Sequence, residues 1–364
     1  MSLWVVVGGQ YGSEGKGKVS AFISKQENID ICVRCGGPNS GHSFVDDHGR
    51  TIVLRQLPTG FVNPSTKLLI PAGALIDPAV LKQEIESLNL PSGRIGIDRK
   101  SFIIEDQDRE KEGALSLRER LSSTLCGVGA AQSRRVLRSS DAKLAKDASD
   151  KHPWMSRYLS DVSDEVNTAI DSGKKVLIEG TQGFGLSLYH SDHYPKTTSR
   201  DTTAAGFLSE VGVSPLLATQ IVVVFRTFPI RVAGEQAGPM RDEISWEQLQ
   251  TESRYPYSIE ERTTVTNKIR RVARFDWELA RRAIRNNRPT RIAITGLDYL
   301  SFLNRDVTRF SELEAQARNF VMQTETRLGA PVRYISSGPA LSSMTALPDS
   351  QRSKMLEPTF EPVV

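Results

Sequence analysis

The sequence predicts an α/β fold: one large domain, residues 1-364, around a mostly parallel sheet with a P-loop-like glycine loop at its N-terminus. Three observations carry this. Short β-branched runs alternate with segments of helical period, the pattern of strands joined by crossover helices. The run 221–225 is apolar throughout, as a strand covered on both faces is. Glycine-rich loops follow Val7, Arg34 and Ile178, at the strand ends where such sheets carry their functional loops.

The chain opens with Val5-Val6-Val7, a buried strand by its side-chain type. The stretch Gly8-Gly9-Gln10-Tyr11-Gly12-Ser13-Glu14-Gly15-Lys16-Gly17-Lys18 follows, and 16–24 run on as a helix. Strand, glycine loop and helix N-terminus make an anion site. Backbone N–H groups converge there, the helix dipole favours negative charge, and Lys16 and Lys18 add full charges. A polyphosphate is the natural ligand. The standard loop reads G-x-x-x-x-G-K-[ST]; here Gln10 stands where the first glycine belongs and Gly17 where the magnesium-binding hydroxyl belongs. The bland alternative is a strand-to-helix turn with solvated lysines, against which the glycine density speaks.

Strands are expected at 29–34, 52–57, 68–70, 95–97 and 102–105, with a second glycine-rich loop at 36–43. Asp77-Pro78 starts a helix running to Leu88, with Asp77 as N-cap and proline in the first turn. A charged helix over 112–121 leads to a polar, glycine-rich loop, 122–130, and 141–151 is a charged connection. Met155, Leu159, Val162, Val166 and Ile170 stand at helical spacing in 154–171, one core face. Strand 176–178 ends in a fourth loop, 179–185. Helix 202–211, strand 221–225, an irregular stretch 226–239 and a polar aperiodic stretch 254–272 come next. Helix 275–286, strand 292–295, helix 312–328 and strand 332–335 complete the pattern, and the tail after Leu347 reads as loop.

Composition sets bounds. A formal charge of +4 on 364 residues does not indicate a nucleic-acid binder. Apolar runs of about five residues offer neither a membrane span nor a signal peptide, so a cytoplasmic protein without a membrane partner is expected. Cys32 and Cys35 share a strand but face opposite sides, which argues against a common metal and for reduced, packed thiols. His190 and His193 flank Asp192 without a third ligand at suitable spacing and read as a solvated loop; Arg281, Arg282 and Arg285 read as a solvated or subunit-contact face.

Taken in order, the loops resemble those of the adenylosuccinate synthetase family. The matching stretches are Gly12-Ser13-Glu14-Gly15-Lys16-Gly17-Lys18, Gly37-Pro38-Asn39-Ser40-Gly41-His42-Ser43, Glu179-Gly180-Thr181-Gln182-Gly183 and Thr202-Thr203-Ala204-Ala205-Gly206. Thr264-Val265-Thr266, Arg270-Arg271, Leu297-Asp298 and Ser337-Gly338-Pro339 follow, so the resemblance runs from about Leu3 to Pro339. In length the chain resembles the compact archaeal and phage-encoded branch. The family joins aspartate to C6 of a purine nucleotide, after a nucleoside triphosphate has phosphorylated the 6-oxygen to make it a leaving group.

The resemblance implies a carbon–nitrogen ligase that uses Mg2+ and a nucleoside triphosphate. It implies that Gly12, Gly15, Lys16, Gly17 and Lys18 hold the triphosphate, with Gly41 and Ser43 beside it and the Gly41 main-chain oxygen on magnesium. His42 then lies beside the 6-oxygen and stabilises the transferring phosphoryl group. Asn39, Thr124, Gln182 and Thr198 match positions that hold the purine monophosphate, Gln182 next to the chemistry. Arg138 matches an arginine donated to a neighbouring subunit's nucleotide site, which implies a homodimer. Thr264, Val265, Thr266 and Arg270 match the loop that clamps aspartate's carboxylates, a task suited to a guanidinium fork. Asp298 and Gly338 match the pocket for the triphosphate's base.

The chain departs from the family pattern at position 13. The family has there an aspartate that takes the purine N1 proton and contacts magnesium; this chain has Ser13. A hydroxyl is no comparable base near neutral pH. It is smaller, however, and accepts a hydrogen bond from an amino group on purine C2. A phage-encoded branch that makes the succinylated precursor of 2-aminoadenine for DNA carries this replacement. The expected substrate is therefore dGMP; the alternative is the ordinary IMP-dependent, GTP-using reaction. Residues 125–130 depart from Gly-Arg-Gly-Ile-Gly-Pro, and Asn267-Lys268-Ile269 replaces Gly-Arg-Arg, a point charge for a fork. Gly296 replaces a lysine before Leu297-Asp298, which favours ATP or dATP over GTP as donor. A nucleotide switch without chemistry is the rival of another class, but His42 and the aspartate loop have no task in one.

Overall fold

The computed structural model describes residues 2–148, 150–263 and 267–348. A ten-stranded sheet runs through it. From edge to edge its strands are Met344–Ala346, Val332–Ser336, Arg291–Thr295, Ala218–Arg226, Ser2–Gly8, Lys175–Glu179, Ile31–Arg34, Lys67–Ile70, Ile95–Asp98 and Leu159–Ser160. Every neighbouring pair is parallel except the one at the edge formed by Met344–Ala346. The first strand lies in the middle, with Val5 in register with Ile178 on one side and Ile221 on the other. Both of its faces are covered. Leu3, Val5 and Val7 pack with Val166, Phe207 and Phe225, while Trp4 and Val6 pack with Val19 and Ile23. Cys32 joins the second cluster and Cys35 the first, on opposite sides of the sheet as the spacing requires, and both are free thiols. No helix among the described residues is long and apolar enough to cross a membrane.

Most elements fall where the sequence puts them. Asp77 caps the helix Pro78–Leu88, its carboxylate accepting from Ala79 N at 3.1 Å and Val80 N at 3.3 Å. Four expectations need correction. The strand at 52–57 is Thr51–Leu54, and it pairs with His42–Val45 in a hairpin off the main sheet. The helix at 112–121 is two helices, Asp106–Ala114 and Leu117–Leu121, separated where Ser116 turns left-handed at φ 50°. The loop at 122–130 ends inside a helix, Val128–Val136. Residues 154–171 are a 3-10 turn Pro153–Tyr158, an edge strand Leu159–Ser160 and the helix Val162–Asp171; Met155 packs with Ile97 and Ile103, whereas Val162, Val166 and Ile170 pack across the sheet against Val5. The sequence reading also passed over the helix Trp246–Ser253, which Ser245 caps through Gln248 N. The tail from Asp349 onward lies outside the described residues.

Candidate active site

Because the strands are parallel, their C-terminal ends lie together, and there they open on a cavity of about 1100 Å³. The phosphate-type loop forms its floor. Gly12 and Gly15 are left-handed, at φ 85° and 89°, and Ser13 between them at φ 58°. Gly15 caps the helix Lys16–Gln26, so the first N–H groups of that helix face the loop. The buried carboxylate of Glu14 organises the turn. Its Oε1 accepts from Gln10 N at 3.0 Å and Gly12 N at 2.9 Å, and its Oε2 takes Lys16 Nζ at 2.6 Å. Gly183 has to be glycine, since a Cβ there would sit 2.3 Å from Glu14 Oε1.

Both departures from the standard phosphate loop have a structural cause. The Gln10 amide pairs with the backbone of Arg226, donating to its oxygen at 3.0 Å and accepting from its N–H at 2.9 Å; a glycine could not tie the loop to the neighbouring strand. Gly17 has no room for a side chain, because a Cβ there would lie 2.5 Å from His42 Cβ. Lys18 is buried, donates to Ser336 Oγ and the Gly338 oxygen, and burial pulls its pKa down to about 8.

His42, at the start of the hairpin, is buried against a fixed anion. Its Nδ1 lies 2.5 Å from Glu179 Oε1. Glu179 is itself held by Arg34 Nη1 at 2.6 Å, Thr59 N at 2.9 Å and Thr59 Oγ1 at 2.7 Å. Burial, helped by the Arg34 guanidinium and opposed by Glu179, lowers the His42 pKa to about 3, so the ring is neutral at pH 7. His42 and Arg34 hold the Glu179 carboxyl down at about 2 against the opposing effect of burial. His42 Nε2 is shielded from solvent and hydrogen-bonds to nothing among the described residues.

The predicted residues converge. Gly12, Ser13, Gly15, Lys16, Gly17 and Lys18 line one part of the cavity, and Gly41, His42 and Ser43 the wall beside it. Asn39, Thr124, Gln182 and Thr198 line the adjoining part, and Gln182 Cα lies 3.7 Å from the place a Gly12 Cβ would occupy. Arg270, Asp298 and Gly338 line it too, Gly338 beside Lys18, which donates to its oxygen. Arg138 is exposed and outside the cavity, on the turn after Val128–Val136. Thr264, Val265 and Thr266 lie outside the described residues. His190 stacks on Phe184 and Asp192 pairs with Arg282, so these two have protein partners.

Sequence reasoning missed several cavity residues. Arg226 ends a central strand and forms an ion pair with Glu261, which also accepts from Tyr299 OH at 2.9 Å. Its position just beyond an apolar run was the available signal. Asp298 accepts from Tyr255 OH, and Arg305 donates to the same hydroxyl at 3.1 Å. Glu112 accepts from Gly127 N at 2.9 Å and Gly129 N at 2.8 Å, fixing the start of Val128–Val136 below Thr124.

A family model described as adenylosuccinate synthetase matches residues 5–147 and 139–305. The chain is 43% identical over 345 residues to an adenylosuccinate synthetase of Thermococcus onnurineus, covering 94% of this chain and 97% of that one. It is 42% identical over 345 residues to one of Methanocaldococcus jannaschii, covering 93% and 94%. Among solved structures it resembles a succinoaminodeoxyadenylate synthetase of cyanophage S-2L, bound to dGMP and to dATP as energy donor, with TM-score 0.80, 25% identity and 97% of each chain covered. A fully ligated adenylosuccinate synthetase from Plasmodium falciparum shares the fold, with TM-score 0.80, 21% identity and coverage of 96% of this chain and 100% of that one.

Proposed function

This chain belongs to the adenylosuccinate synthetase family, carbon–nitrogen ligases, and we propose that its own reaction joins L-aspartate to C6 of dGMP through a 6-phosphoryl intermediate, driven by ATP or dATP. The observation that carries the choice of nucleotide is Ser13. It lines the cavity from within the phosphate loop, next to Gly12, at the position that carries the family's base. A hydroxyl there leaves room for a 2-amino group and accepts its hydrogen bond. The phage neighbour was solved with dGMP and dATP, in line with this reading. The product is the succinylated precursor of a 2-aminoadenine nucleotide.

A second reading, the ordinary IMP- and GTP-dependent synthetase, is favoured by the archaeal relatives. At 43% and 42% identity they stand well above the 25% of the phage neighbour and weigh more in its favour than that neighbour does for dGMP. Ser13 is what separates the two readings. Purified protein given aspartate, magnesium and ATP or GTP decides between them by phosphate release. The dGMP reading predicts much faster turnover of dGMP than of IMP; faster IMP turnover establishes the second reading, and none with either nucleotide removes both.

Magnesium fits the site as a nucleotide-borne ion. No cluster of three or more His, Cys, Asp or Glu side chains suited to a metal occurs among the described residues, but the Gly41 carbonyl and the Ser13 hydroxyl are hard oxygen donors beside the phosphate loop. When bound there it would supply charge neutralisation on the phosphates. Arg138, exposed and away from its own cavity, is free to serve the site of a second copy in a homodimer.

A further inference from the structure

We propose that Glu261 is a positioning residue for L-aspartate: paired with Arg226, it fastens a basic hairpin to the end of a central strand and so fixes two cations, Lys268 and Arg270, at the cavity. This rests on the ligase reading, which brings a dicarboxylate into the cavity whichever purine is used.

The hairpin is defined by its backbone. Arg270 N donates to the Glu261 oxygen at 2.7 Å, Thr263 N donates to the Lys268 oxygen at 2.9 Å, and Arg262 and Ile269 form an antiparallel bridge between these rungs. Glu261, Lys268 and Arg270 all line the cavity. Unlike Lys16, Arg226 and Arg305, Lys268 and Arg270 form no ion pair among the described residues. Cations left open at a cavity wall are what a dicarboxylate needs. A hairpin of so few rungs is marginal by itself, however, so something else has to hold its cations in place.

Glu261 supplies that hold. Its Oε2 accepts from Arg226 Nη1 at 3.1 Å, and its Oε1 accepts from Arg226 Nη2 and from Tyr299 OH at 2.9 Å. Arg226 is a fixed post. It ends the strand Ala218–Arg226, the Gln10 side chain pairs with its backbone, and its guanidinium lies over the Tyr299 ring, 4.9 Å from the centroid, with the side chain 9% exposed. The other arm is held where Trp246 Nε1 donates to the Arg270 oxygen at 2.7 Å.

Charge and placement act in opposite directions here. By charge alone, a carboxylate at this wall repels an incoming dicarboxylate, and removing it should improve aspartate binding. As an anchor it holds Lys268 and Arg270 where they are needed, and removing it should weaken aspartate binding.

Steady-state phosphate release, with aspartate varied and both nucleotides saturating, reads that sign. Glu261→Gln should raise the KM for aspartate about tenfold with kcat within about twofold. Tyr299→Phe changes no charge, keeps the ring under Arg226 and should raise it about threefold. A KM that falls or stays put in both variants overturns the proposal. Should Glu261→Gln fail to fold with Arg226 left unpaired, the neutral double variant Arg226→Met with Glu261→Gln keeps the question open to test. Its aspartate KM should be raised about as far as by Arg226→Met alone; a return to the unmodified value, or losses that add, overturns the link. Amide hydrogen exchange without any substrate gives an independent reading. In Tyr299→Phe, exchange across 267–271 should quicken while that of the helix Lys16–Gln26 does not, and unchanged exchange overturns the anchor whatever the enzyme's substrate. Absence of turnover with any purine in the unmodified enzyme removes the ligase reading instead, and the exchange still decides whether Glu261 fastens the hairpin.

Discussion

Glu14 looks misplaced, a carboxylate in a loop built for phosphate, and replacing it gives a sharp prediction. It is fully buried, its partner Lys16 is 2% exposed, and the two meet at 2.6 Å. Glu14→Gln keeps an oxygen for Gln10 N and Gly12 N but turns an amide N–H toward the Lys16 ammonium. Removing one partner of a buried ion pair costs about 3–5 kcal/mol, against a total stability of about 5–15 kcal/mol. In thermal unfolding without nucleotide this is a fall on the order of 10 °C. Glu14→Ala also strands two buried N–H groups, at about 1–3 kcal/mol each, and falls further. The double variant Glu14→Gln with Lys16→Met removes both charges and recovers most of the loss, because an uncompensated charge and not the missing pair is what destabilises. Triphosphate affinity, followed by calorimetry, should drop in Glu14→Ala as the Gln10–Gly12 turn loses its anchor. A Glu14→Gln protein within about 1 kcal/mol of the unmodified chain would refute the assignment of Glu14 as the buried partner of Lys16.

Ser13→Asp should raise IMP turnover relative to dGMP by about 10²-fold, measured as the ratio of kcat/KM values; position 13 is left-handed at φ 58°, which aspartate tolerates, so the fold should survive. Tyr255→Phe frees the Asp298 carboxylate for the N–H donors of guanine and should raise GTP use over ATP roughly tenfold, by about one charge-assisted hydrogen bond; an unchanged donor ratio refutes the capping role of the tyrosine. The protein should lose stability in acid. Between its ordinary value of 6.5 and about 3, His42 is protonated in the unfolded chain but not in the folded one, and Glu179 adds to the loss between 4.5 and about 2. The His42 contribution is fully present above pH 6.5 and fades as pH falls, so His42→Asn should flatten the slope of denaturant-measured stability between pH 6.5 and 4.5.

What was legible in the sequence was what is encoded locally. The strands at Val5, Ile178 and Ile221 announce themselves because both faces are buried, and the helix at Pro78 because its cap and first-turn proline are adjacent in the chain. What was not legible depends on distant partners. Val128–Val136 starts in a glycine-rich loop because Glu112, 15 residues upstream of Gly127, satisfies its first N–H groups. The apolar spacing from Met155 to Ile170 is regular, but it serves two cores separated by the sheet, so a helix was inferred across a strand. Trp246–Ser253 is too short for periodicity to register.

The same distinction runs through the site. Its glycines and lysines were legible because the phosphate loop is a local device. The groups that set its chemistry were not: Glu179 acts on His42 from 137 residues away, and Tyr255 on Asp298 from 43. Each oddity of the loop answers to something outside it, Gln10 to the backbone of Arg226 and Gly17 to the Cβ of His42. With Lys16 neutralised by Glu14 and Arg226 by Glu261, the loop's pull on an anion falls to its N–H groups, to Lys18 and to charges from other elements such as Arg270. Such a loop grips phosphate only when the elements that supply those charges are in place. Phosphate binding here is therefore a property of the assembled sheet end, and a peptide carrying the loop and its helix alone should not bind a triphosphate.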